Sequence, residues 1–383
     1  MSKKKTQTKK ATFTLEYDGF SIHTFELSRR ITPRKYYSMR DRLYRLQEDS
    51  VKRGWLYRDN YGNHICTLYA EHGIRSIIFE QNQKAETYFV RIIVNPRKLI
   101  EQECSYIGIL PPEGFSVKML EEAFRELFED TVFDVDLNSY QLTRLDLCTN
   151  IRCDNKKLFR ELVRVLRKLP TPPKYERKKY KHKDKKKANR YNKHYLRFHC
   201  GTHELVIYDK TYQVRNNDLV VSYENLPEGV LRFEVHCERA YLREVEKKSG
   251  VTATDALLWL MIQESEERIT SHFARCFSDV RFARTKELER IIKRSAFKKE
   301  SKDVMLQLVT RLQRTQSVDK ALEKLKKDGY DTSGVLDRFD KLGVSPIPLR
   351  KNFCAKELPG PVELLRGVSG GKITVDYLKV KYK

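Results

Sequence analysis

The chain has 383 residues, 40% of them apolar and 33% charged, enough for two or three domains of ~100–200 residues with real cores. Its 76 Lys and Arg against 52 Asp and Glu leave a formal net charge of +24, which points to a polyanionic partner, nucleic acid before an anionic membrane. The longest apolar run, Ala256–Ile262, falls far short of the ~20 residues of a spanning helix, no secretory apolar segment follows the basic start, and eight scattered cysteines form no C-x-x-C, so neither a zinc ribbon nor a thioredoxin motif is written and a cytoplasmic protein with free thiols is expected.

Residues 1–10 read as a disordered basic arm. From Ala11, Phe13, Leu15 and Tyr17 alternate with polar residues, and an Asp18-Gly19 turn leads into a second strand at Ser21–Phe25. Strand-like runs follow at His64–Ala70, Ser76–Glu80 and Glu86–Val94. Ser116 is placed to cap a helix whose apolar stripe is Val117, Leu120, Phe124, Leu127 and Phe128. Tyr140–Ile151 reads as a strand, and Asp154 as the cap of a helix burying Leu158, Leu162, Val163 and Leu166. Pro170, Pro172 and Pro173 end that helix.

Residues 174–193, KYERKKYKHKDKKKANRYNK, carry eleven Lys or Arg and two acids. Such a block repels itself, so 170–194 is expected to be mobile until an anion orders it. Lys178, Lys179, Lys181, Lys185, Lys186, Lys187 and Arg190 are the expected DNA contacts, and Tyr175, Tyr180, Tyr191 and Tyr195 are candidates to stack on unpaired bases. Strands return at Tyr195–Cys200 and His203–Tyr212, joined by a two-residue Gly201-Thr202 turn, and at Val230–Arg239, which leads into a helix at Ala240–Lys248. Helical patterns then fill Ala253–Gln263, Lys286–Ser295, Asp303–Gln313, Val318–Lys327 and Val335–Leu342. The division is an α+β region, 11–248, followed by a helical C-terminal region, 249–383.

Side-chain alternation puts Leu145 and Leu147 on the core side of one strand and Arg144 and Asp146 on the other. Tyr208, Lys210 and Tyr212 likewise oppose Leu205 and Ile207, and Arg232, Glu234, His236 and Glu238 oppose Leu231, Phe233, Val235 and Cys237. The tight turn pairs His199 with Glu204 and Tyr195 with Tyr208. One wet face is ordinary for an antiparallel sheet. Its composition is the signal: carboxylates suit Mg²⁺ or Mn²⁺, and a tyrosine beside a lysine can serve as a nucleophile.

In order along the chain, VRIIVNPRKLI (90–100), TRLDLCTNI (143–151), LVIYDKTYQ (205–213) and GVLRFEVHCERAYL (229–242) resemble the rolling-circle replication initiators of filamentous phages, and more distantly the plasmid replication initiation factors. The resemblance implies an antiparallel-sheet nickase domain with flanking helices, like the HUH endonucleases but without their His-hydrophobe-His pair. H-C-G-T-H at 199–203 has the wrong spacing for that pair. By the same resemblance Tyr208 is the nucleophile that leaves a 5′-phosphotyrosine and a free 3′-hydroxyl. Asp146 and Glu234 hold the divalent metal, and Lys210 stabilises the phenolate or leaving oxygen. Arg144 and Arg232 match family arginines, either on phosphate or in salt bridges.

A third ligand is left open among His199, Glu204 and His236. Tyr212 is left between a second nucleophile, the first one, and an aromatic contact. The implied partners are single- and double-stranded DNA at an origin, with a bacterial host's helicase and polymerase. The C-terminal helices are left between duplex binding, dimerisation and helicase recruitment. A conjugative relaxase or transposase would use the same chemistry, and a non-enzymatic DNA binder would need only the charge.

Overall fold

The computed structural model describes residues 8–50, 54–82, 84–101, 107–109, 117–216, 229–369 and 373–380. In chain order the strands are β1 (Thr8–Ile31), β2 (Leu56–Arg58), β3 (His64–Cys66), β4 (Ile74–Asn82), β5 (Thr87–Val94), β6 (Gln141–Cys153), β7 (Glu176–Lys178), β8 (Tyr195–His199), β9 (His203–Asp209), β10 (Val230–Glu238), β11 (Phe282–Ala283), β12 (Glu357–Leu358) and β13 (Ile373–Val380). All but β11 and β12, which pair with each other, join one sheet in the order β2-β3-β4-β5-β1-β6-β10-β9-β8-β7, with β13 added on β1. Every ladder in it is antiparallel.

β1 is one strand where a hairpin turn was expected. Asp18-Gly19 is a bulge in its ladder with β6. Gly19 takes the left-handed φ of +81° that the kink requires. The Asp18 carboxylate binds the Arg152 guanidinium at 2.6 and 3.0 Å and accepts from Asn150 Nδ2 at 2.8 Å. Held to β6 in this way, the chain continues instead of reversing. A second irregularity falls between Ile22 and Thr24, leaving His23 without a partner in the register.

The apolar side of β6, β9 and β10 buries Leu145, Leu147, Leu205, Ile207, Phe233 and Val235. The Lys156–Leu166 helix, which Asn155 rather than Asp154 caps by accepting from Lys157 N and Leu158 N, contributes to the same core. So does the Ser265–Cys276 helix, where Phe273 meets Phe233 edge-on at 5.2 Å. One apolar cluster runs from Leu15 to Leu365, so residue 248 does not divide the core. Nor is the C-terminal region helical throughout, since β13 returns to pair with β1. The Thr285–Arg294, Lys299–Leu312, Val318–Lys327 and Val335–Lys341 helices lie in between. Asp319 accepts from Thr171 N and Oγ1 at 3.0 and 2.8 Å, tying them to the α+β region.

The basic segment expected to be mobile carries regular structure. β7 pairs with β8, and Asp184 caps a Lys185–Tyr191 helix by accepting from Lys186 N and Lys187 N. Asn192 clasps the Tyr180 backbone in both directions at 2.9 Å. These local bonds oppose the like-charge repulsion that the sequence suggests. Of the arm expected to be disordered over residues 1–10, Thr8–Lys10 instead belong to β1 and pair with β13, while residues 1–7 and the expected cap Ser116 lie outside the described residues. Among those described, no helix is long and apolar enough to cross a membrane.

Candidate active site

Alternation and register together build the polar face. His236 lies opposite Asp146 on β6 and Glu204 on β9, and Arg232 lies opposite Tyr208. Side chains two residues apart share a face, so Asp146, Glu204, Tyr208, Arg232, Glu234 and His236 gather there. All six are buried. Tyr195 pairs with Tyr208 and His199 with Glu204, the register anticipated from the tight turn.

Glu234 is the hub. Its Oε1 accepts from the Tyr208 hydroxyl at 2.7 Å and lies 3.1 Å from His23 Nδ1 and 3.7 Å from Arg232 Nη1. Its Oε2 meets His236 Nε2 at 2.8 Å. Burial opposes its charge, but the His23 and His236 contacts outweigh burial and hold the carboxyl well below its usual range. Burial would also push His236 down. The charge of Asp146 and the bonds to Glu204 and Glu234 raise it instead to about 10, so it stands as an imidazolium among three carboxylates. Glu204, against burial, is held at about 2 by His236 and Arg197. His199 reaches this cluster through Glu204, at 3.0 Å.

Two residues enter from outside β6, β9 and β10. β9 ends at Asp209, which caps the Lys210–Arg215 helix by accepting from Tyr212 N at 2.7 Å. The strand expected to run through Tyr212 therefore breaks, and Lys210 reaches the site from the first turn of a helix. Its Nζ donates to Gln213 Oε1 at 2.8 Å and stands 3.5 Å from His23 Nε2. Burial and Arg232 drive its pKa well below the lysine value. His23 is the member that sequence reasoning missed. Burial, Lys210 and Arg232 lower it to about 4, so it is neutral, with the Nδ1 proton toward Glu234 and Nε2 facing Lys210. Tyr212 leaves with the helix and stacks on His194 at 3.7 Å.

Tyr208 is 2% exposed. Burial and the Glu234 charge raise its pKa well above the phenol value, with Arg232 opposing. Arg232 is fully enclosed, bonded to Asn150 Oδ1 and the Ile107 carbonyl.

The carboxylates named as metal ligands are occupied by the protein's own donors. Asp146 takes a bidentate grip from Arg144 at 2.9 and 3.1 Å and a bond from Thr24 Oγ1. Both oxygens of Glu234 are engaged, as described above. Among the described residues, no three His, Cys, Asp or Glu side chains are grouped to hold an ion. As placed, the donor set does not fit Mg²⁺ or Mn²⁺.

Lys178, Lys179, Lys181, Lys185, Lys186, Lys187 and Arg190 are all exposed. Arg167, Arg177, Lys178, Lys179 and Lys193 line a groove of about 340 Å³ that Tyr195 also borders. From that segment the rings of Tyr180, Tyr191, Tyr195 and Tyr208 follow one another at centroid spacings of 4.5, 5.2 and 5.1 Å. This aromatic file connects the basic surface to the buried phenol.

No protein-family model matches the chain, and no curated protein matches it. Among solved structures it is similar to a rolling circle replication initiator protein from Geobacillus stearothermophilus, at 11% sequence identity and a TM-score of 0.28, over 88% of this chain and 100% of that one. So distant a likeness settles neither fold nor function.

Proposed function

We propose that the chain nicks and rejoins DNA as a rolling-circle replication initiator, with Tyr208 as its nucleophile. The observation that carries this reading is the 2.7 Å bond from the Tyr208 hydroxyl to Glu234, within a buried group that includes Arg232, Lys210 and His236. A phenol passing its proton to Glu234 Oε1 becomes a phenolate that attacks a backbone phosphorus. The P–O3′ bond breaks, the phosphate stays on Tyr208 as a 5′-phosphotyrosine, and the 3′-oxygen takes a proton from Lys210, whose lowered pKa suits it to give one up. In the reverse direction Glu234 returns its proton to the phenolate and Lys210 takes one from the 3′-hydroxyl, so the step balances. Arg232 offsets charge that develops on the phosphoryl oxygens. Attack by the free 3′-hydroxyl on the phosphotyrosine reverses the step, so rejoining needs no ATP. At rest the phenol is protonated and sealed, so DNA entry has to uncover it.

The net charge of +24 and the exposed lysines at 178–187 support a DNA backbone as the polyanion. The test is cleavage of labelled single-stranded origin oligonucleotides from the protein's own replicon, resolved on a denaturing gel with and without Mn²⁺. Wild type should form a protein–DNA adduct that Tyr208→Phe cannot form. An adduct from Tyr208→Phe overturns the assignment, and one lost only in Tyr212→Phe transfers it to Tyr212. Tight binding with no adduct from wild type in either condition would leave a DNA binder without this reaction.

A further inference from the structure

Charge that builds on a transferring phosphoryl group is met by cations, and the two already described face it from inside the protein. Arg232 is fully enclosed, tied to Asn150 and the Ile107 carbonyl, and Lys210 is buried with its ammonium on Gln213. Neither is open to the solvent from which DNA arrives. A third cation is open to it, and an irregularity in β4 supplies that cation.

The ladder of β4 with β5 pairs Ile74 with Val94 and Ser76 with Ile93, and Arg75 between them has no register partner. An extra residue of this kind bends the strand and re-aims its side chain. Strict alternation would put Arg75 on the apolar side with Ile77 and Phe79. Instead Ile74, Ile77 and Phe79 are all fully buried and Arg75 is exposed. The rows that flank it cross the sheet to the site: Ser76 and Ile93 continue through Glu26 to Arg144, and Ile74 and Val94 through Phe25 to Leu145. Arg75 therefore enters level with Arg144 and Leu145 of β6, beside Asp146.

The guanidinium is uncommitted. Glu26 and Glu80, the acids of that face on β1 and β4, both bond Arg91, and among the described residues no hydrogen bond or ion pair holds Arg75. Its positive charge acts on both Lys210 and the Tyr191 phenol, so it stands within electrostatic reach of the lysine and of the aromatic file that leads to Tyr208. Resting on the nicking reading, we propose that Arg75 grips the non-bridging oxygens of the scissile phosphate from the solvent side, opposite Arg232, and stabilises their charge in the transition state. The planar fork of an arginine matches two phosphate oxygens, and a guanidinium with no ion pair to break is ready to receive them.

The experiment is single-turnover cleavage by the full chain at saturating protein, on the origin oligonucleotide and on one carrying a methylphosphonate at the mapped nick, where a neutral methyl replaces one charged oxygen. On the phosphodiester, Arg75→Gln should slow adduct formation by about 10²-fold. Arg75→Lys, which keeps the charge without the fork, should fall in between. Oligonucleotide affinity, read by fluorescence anisotropy, should change far less than the rate. On the methylphosphonate the difference between wild type and Arg75→Gln should vanish in one of the two diastereomers, because the charge that the arginine serves is gone. A misfolded variant cannot show that rescue. An unchanged rate for Arg75→Gln, a loss confined to affinity, or an equal loss on both substrates overturns the role of Arg75 and leaves the Tyr208 chemistry standing. No adduct from wild type overturns both.

Discussion

Nδ1 of His23 and Nε2 of His236 approach opposite oxygens of Glu234, and the two imidazoles differ in charge. His23 is neutral because burial, with Lys210 and Arg232 facing it, outweighs its contact with Glu234, whereas His236 is cationic because Asp146, Glu204 and Glu234 outweigh its burial. His23→Gln removes the imidazole that orders Glu234 against Lys210 and should lower adduct formation by about 10²-fold, the lower end of what positioned acid–base groups contribute. Oligonucleotide affinity, read by fluorescence anisotropy, should stay unchanged. His236 gives a stability prediction. Its folded value of about 10 lies above the ordinary 6.5, so the stabilisation is present in full below pH 6.5 and is lost as pH rises to about 10. Urea midpoints of wild type and His236→Gln should differ most near pH 6 and converge by pH 10. A gap that stays constant with pH would refute the charge assignment.

At the scale of elements, period-2 alternation in β6, β9 and β10 was readable because those strands have one apolar and one polar face. The tight Gly201-Thr202 turn carried the β8–β9 register as well. The contribution of His23 was not readable. It depends on an irregularity between Ile22 and Thr24, and a one-residue slip reverses which face a side chain takes. The Pro33–Asp49 helix was passed over although Thr32 caps it by accepting from Lys35 N and Pro33 opens it. Its buried stripe is only Tyr36, Met39 and Leu43 among charged neighbours. For the basic segment, charge density outweighed the local caps in the sequence reading. Its Lys185–Tyr191 helix holds three of the lysines in the open. Replacing Lys185, Lys186 and Lys187 with Gln should reduce the slope of log affinity against log salt by about 2 on single strands. Cleavage at saturating protein should be unaffected. An unchanged slope would place the DNA elsewhere.

At the scale of the whole molecule, composition anticipated the charged exterior and the succession of strand and helix patterns the mixed α+β class, but neither showed the route of the chain. Nothing in the periodicity of residues 373–380 shows that they return to β1, because strand pairing across more than 350 residues leaves no local mark. β1 is the member that joins the parts. It pairs with β13 over Thr8–Leu15, with β6 over Leu15–Ser28 and with β5 over Phe25–Ile31. From Phe25 to Ser28 it has a neighbour on each side, immediately beyond the residues that bring His23 to Glu234. Backbone amides in this stretch are shielded from solvent by both flanking strands, so they should be among the last to trade hydrogen for deuterium. Their exchange should proceed only when the entire chain opens.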